Sequence, residues 1–138
     1  MMDDVEIVLR AISAVEDRRI DEVRALYHAD VEFHWQPGLP YEGDHSGPAV
    51  ATMDRTFADT WMPLRPDTET RRMDPRVVAA TDGHVVVSYM WRAKDKRGDR
   101  FETETLAHYQ VKEGKLRFAR MYHFDLAGLL DFLDRAVS

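Results

Sequence analysis

Apolar residues in the first part of the chain recur at helical spacing. Val5, Val8, Ile12 and Val15 line one face of a helix that Asp3 or Asp4 can cap. Asp17-Arg18-Arg19 breaks that pattern before a short second helix carrying Ile20, Val23, Leu26 and Tyr27. The run DVEFHWQPG is extended and ends in a Pro/Gly turn, which GLPYEGDHSGP continues as loop. A third helical face follows at Val50, Met53, Phe57 and Trp61; Pro48 lies near its start, and Pro63 and Pro66 end it.

Beyond residue 75 the period changes from helical to alternating. Strands are predicted over 76–80 and 84–92 around the Asp82-Gly83 turn, over 100–112, and over 116–124 after Lys112-Glu113-Gly114-Lys115. Leu126, Leu129, Leu130 and Leu133 predict a closing helix. Setting Trp91 opposite Phe101 and Val111 opposite Leu116 gives the sheet two faces. The bulkier one, with Val87, Tyr89, Trp91, Phe118, Arg120 and Tyr122, is expected against the helices. The other carries His108, Met121 and His123, and is apolar enough to suggest a homodimer surface. A bulge near Phe118 would exchange the faces of everything after it.

The length of 138 residues fits one domain over 1–138 with a real core, and 44% hydrophobic against 32% charged residues is a globular composition. A net charge of -6 disfavours nucleic acid and anionic membrane as partners. Cysteine is absent, so disulfides, thiol nucleophiles and thiolate metal sites are excluded. The N-terminal stretch is too charged for a signal-peptide core, and no apolar run reaches membrane-spanning length, which makes the cytoplasm the expected location.

The amphipathic first helix, the segment IDEVRALYHADVEFHWQPG, the helix with Phe57 and Trp61, and the hairpin LAHYQVKEGKLRFARMYHFD together resemble the NTF2-like superfamily, in particular its SnoaL-like and steroid-isomerase-like members. The resemblance implies an α+β fold: a cone in which a curved antiparallel sheet wraps around the N-terminal helices and leaves a central pocket. It implies no single reaction. The places that correspond to the steroid-isomerase catalytic set fall near Ala11, Trp35 and Ala107, none of which can do that chemistry. Correspondence with scytalone-dehydratase-like members is partial, through Glu16 or Asp17 and His108.

Candidate chemistry starts with His34, between Phe33 and Trp35, where a neutral imidazole near the pocket mouth could accept a proton. His123 near the end of the last strand is a second such candidate, and Arg120, flanked by Phe118 and Tyr122, a third. Each has a bland alternative: a histidine satisfied by backbone, or an arginine paired with a nearby glutamate. Trp35, Trp61, Tyr89 and Trp91 could wall a flat apolar ligand or simply fill a core, while Tyr89, Tyr122 or Arg120 could steady oxyanion charge. The six histidines are scattered without metal-binding spacing, so neither a metal nor an organic cofactor is expected. Two readings stay open: an isomerase, dehydratase or cyclase of the SnoaL-like type acting on a small hydrophobic cyclic or carbonyl compound, and a noncatalytic binding or dimerisation domain.

Overall fold

The computed structural model describes residues 2–137. Helix α1 (Asp4–Glu16) starts where the Asp3 side chain accepts from the Glu6 amide, satisfying one of the free N–H groups of its first turn. Helix α2 (Ile20–Ala25) stops earlier than the apolar spacing suggests, because Leu26 and Tyr27 turn into strand β1 (Tyr27–Trp35). The loop that follows contains a short edge strand, β2 (Gly43–Ser46), and leads to α3 (Ala49–Trp61). A single 3-10 turn (Met62–Leu64) and a one-turn helix, α4 (Thr68–Arg71), precede β3 (Arg76–Thr81), β4 (His84–Lys94), β5 (Arg100–Lys112) and β6 (Lys115–His123). Helix α5 (Leu126–Ala136) closes the described chain.

The six strands form one sheet in the order β2-β1-β6-β5-β4-β3. This corrects the expectation of a curved, wholly antiparallel cone. β1 runs parallel to β6, so the sheet is mixed, and it ends at two edges, neither closed nor strongly curled. Hairpin spacing reveals only pairings between neighbours in sequence, whereas β1 and β6 are joined across most of the chain. The β4/β5 register also differs in detail: Trp91 pairs with Thr103, and Ala93 with Phe101.

The decisive irregularity lies between β5 and β6. Val111 pairs with Leu116, but Gln110 pairs with Phe118, so Arg117 is an extra residue in β6. A single inserted residue exchanges the faces of all that follow. Leu116 is buried; beyond the bulge the buried residues are Ala119, Met121 and His123. Phe118, Arg120 and Tyr122 therefore move to the outer face, opposite to the placement that uninterrupted alternation gives.

The core lies between the inner sheet face and the helices. Ile7, Val8 and Ile12 of α1 pack over Val85, Val87 and Ala107, while Leu129 and Phe132 of α5 cover the far part, with Phe132 stacked 5.7 Å from Phe101. Each such side chain contributes about 1.5–3 kcal/mol on burial.

Candidate functional site

Where α1, α2 and α3 face β1, β4, β5 and β6, the core opens into a cavity of about 360 Å³. Trp35, Trp61, Tyr89 and Trp91 all line it. Trp61 is held by an Nε1–H bond to the Tyr41 hydroxyl at 2.7 Å and meets Trp91 edge-on at 5.3 Å. Trp35 donates to Met53 Sδ at 3.2 Å and packs against Phe57 at 5.5 Å. These four aromatic residues serve as wall around open volume.

The proton-transfer candidates of the sequence do not gather there. His34 alternates with the inward Phe33 and Trp35, so it projects from the outer face of β1. There its Nδ1 meets Asp44 Oδ1 at 2.6 Å, and its ring lies 4.8 Å from Phe118. Arg120 shares that face, 5.3 Å from the Phe118 ring, and Tyr122 is 42% exposed. His123 points inward but stands behind the wall, 6.5 Å from the Trp35 ring and 6.4 Å from Trp91. Its Nδ1 is bonded to Thr105 Oγ1 at 2.7 Å, and Nε2 is buried without a hydrogen-bond partner. Burial lowers its pKa to about 4, so the imidazole is neutral at physiological pH.

The ionisable groups that do line the volume are others. Asp54 of α3 accepts from the Tyr27 hydroxyl at 3.1 and 3.2 Å and lies 3.8 Å from Arg24 Nε. Burial raises the Asp54 pKa above the ordinary carboxylate value, although the Tyr27 bond and Arg24 oppose the shift. Deeper in, Tyr89 and Tyr109 reach the cavity, and among the described residues neither hydroxyl has a hydrogen-bond partner. Burial pushes both phenols well above their ordinary pKa, so both stay protonated and able to donate. Arg65, between Pro63 and Pro66, spreads its guanidinium 3.7 Å over the Trp91 ring.

Sequence reasoning missed Asp54, Tyr27 and Arg65 as site residues. Asp54 carried a signal: residues 50, 54, 57 and 61 share a helix face, so an acid interrupts the apolar stripe of α3. Arg65 sits in aperiodic chain and carried none. Among the described residues, no group of three or more His, Asp or Glu side chains could hold a metal ion, and no helix is long and apolar enough to cross a membrane.

Residues 8–119 match the model of the SnoaL-like domain. The chain belongs to this family. No curated protein sequence matches it. Among solved structures, this SnoaL-like domain is similar to TerC co-crystallized with polyporic acid: TM-score 0.78 and 17% identity, over 95% of this chain and 98% of that one. It is similar to an NTF2-like protein of unknown function from Burkholderia pseudomallei, with TM-score 0.79, 18% identity and coverages of 96% and 98%. A third similar structure is IdmH of Streptomyces antibioticus, a proposed polyketide cyclase, with TM-score 0.71, 14% identity and coverages of 95% and 99%. Identities this low show the fold alone; the family rests on the match over residues 8–119.

Proposed function

We propose that this SnoaL-like domain is a cofactor-free enzyme that moves a proton on a small hydrophobic cyclic or carbonyl-bearing compound, in an isomerisation, dehydration or cyclisation. The observation that carries this reading is Asp54, a carboxyl group of raised pKa on the wall of an open, mostly aromatic cavity. A carboxylate so tuned is a stronger base than one in water, and it faces volume that a substrate can occupy. The Tyr27 hydroxyl fixes its orientation, and the free hydroxyls of Tyr89 and Tyr109 are suited to hydrogen-bond the oxygen on which charge develops. In this reading the proton acceptor is Asp54, with His123 a neutral support behind Trp35 and Trp91. The likeness to TerC, crystallized with polyporic acid, and to IdmH agrees with a small organic ligand.

Proton abstraction can be read without knowing the final product. Cyclic ketones such as 2-tetralone are incubated in D2O, and loss of the α-proton resonance is followed by NMR. Acceleration by the wild-type protein but not by Asp54→Asn is the expected result. No acceleration across such a panel would favour the noncatalytic reading, which has its own support: Tyr27 and Asp54 already satisfy one another.

The proposal extends to a homodimer through the outer sheet face, where Tyr122 and Phe124 are exposed beside Phe118. Sedimentation of the wild type against Tyr122→Asp tests it, with dimer expected for the first and monomer for the second.

A further inference from the structure

A buried cation needs a counter-charge, and Arg65 has none close by. The residue is only 4% exposed. Its Nε donates to the Thr70 carbonyl at 3.2 Å and its Nη2 to the Arg71 carbonyl at 2.8 Å. Those bonds fix the guanidinium plane over Trp91 but leave the charge unneutralised, and Nη1 has no acceptor among the described residues. The acid whose charge acts on it, Glu16, forms no ion pair with it; its carboxylate accepts from the Met73 amide at 2.9 Å.

The segment bearing Arg65 is held from both sides. Arg18 donates to the carbonyls of Met62 and Arg65, and Asp67 caps α4 through Thr70 while pairing with Lys94 at 2.8 Å. An arginine so braced, lining a cavity beside a tyrosine hydroxyl with no partner, is prepared for a ligand rather than left over from packing. The cavity as a whole agrees: Arg18, Arg24, Arg55, Arg65 and Arg71 line it against two aspartates, in a protein of net charge -6. Burial lowers the Arg65 pKa to about 10, which leaves it cationic at neutral pH and adds to the desolvation that a bound anion would relieve.

We propose that Arg65 and Tyr89 form an oxyanion subsite, and that the natural ligand carries a carboxylate, enolate or phenolate oxygen on an aromatic or alicyclic body that stacks against Trp91 and Trp35. This deepens the proposed function and rests on it only for the identity of the cavity as the binding site. The guanidinium is largely buried, where charge is costly to leave unpaired, so the subsite selects charge as well as shape.

The test is calorimetric binding at neutral pH of 2-naphthoate and its neutral isostere 2-naphthamide. The wild type is expected to prefer naphthoate by about tenfold or more, the range of a charge-assisted hydrogen bond. Arg65→Gln is expected to abolish the preference, and Tyr89→Phe to reduce it severalfold. Equal binding of the two probes by the wild type, a preference that survives Arg65→Gln, or no binding of naphthoate overturns the subsite. If Arg65→Gln fails to fold, Tyr89→Phe decides, an unchanged preference counting against the proposal. Retained α-proton exchange without anion preference would sink the subsite and spare the proton-transfer reading; anion preference without exchange would do the reverse.

Discussion

The Tyr27 hydroxyl donates to both carboxylate oxygens of Asp54, joining the first residue of β1 to the middle of α3 across the cavity wall. That bond stabilises the charged carboxylate and partly offsets the burial that raises its pKa. Asp54→Asn is expected to lower proton exchange by about a hundredfold or more, the usual contribution of a general base. Tyr27→Phe acts differently: with the bond gone the Asp54 pKa rises further, so the acidic limb of the pH–rate profile should move to higher pH. Measuring that profile separates the effect from simple loss of packing, which would lower the rate at every pH.

How much of this was legible depended on the kind of signal. Helical spacing at Val5, Val8, Ile12 and Val15, and at Val50, Met53, Phe57 and Trp61, marks α1 and α3, and period two marks β4 and β5, because one-sided burial imposes those periods. The Arg117 bulge left no such mark. Leu116, Phe118, Ala119 and Met121 are all apolar, so either register buries a plausible set and the alternation cannot choose. The pocket aromatics Trp35, Trp61, Tyr89 and Trp91 could be picked out because size is visible in sequence. Arg65 could not, because what distinguishes it is the lack of a paired acid in space.

Placement on the outer face yields a negative expectation for three sequence candidates. His34, Arg120 and Tyr122 lie on the outer sheet face, separated from the cavity by the sheet itself. His34→Gln, Arg120→Ala and Tyr122→Phe should each leave naphthoate affinity within about twofold of wild type, as for surface changes remote from a site. Calorimetry with the same probe checks this. A tenfold loss in Arg120→Ala or Tyr122→Phe would mean that β6 takes the other register, and one in His34→Gln that β1 turns its other face to the cavity.

Stability should depend heavily on the buried Trp61–Tyr41 bond. Tyr41 is 3% exposed and Trp61 2%, so Tyr41→Phe leaves a buried indole N–H without its acceptor. Stranding such a donor costs about 1–3 kcal/mol, more than the bond contributes when it is present. Urea denaturation should show the midpoint falling while the m-value stays constant. Trp61→Phe removes the donor instead, so its loss should follow the indole volume, and the two variants together should be less than additive.

Acid should weaken the fold through His123. Its folded pKa, about 4, lies below the ordinary 6.5 because burial disfavours the imidazolium, with Nε2 buried and without a partner beside Trp35 and Trp91. Between those values the unfolded chain binds a proton that the folded chain does not, so stability rises with pH across that window and is lost as pH falls from 6.5 toward 4. The full effect is about 3 kcal/mol, reached below pH 4. His108, whose pKa is lowered by burial and then by His84 and Arg120, acts in the same direction; Asp54, whose pKa is raised, acts oppositely from the ordinary carboxylate value upward. Denaturant midpoints measured from pH 7.5 to 4 should therefore slope steeply in the wild type and in His108→Gln, and much less in His123→Gln. An equal slope in His123→Gln would mean that the imidazole reaches water in solution.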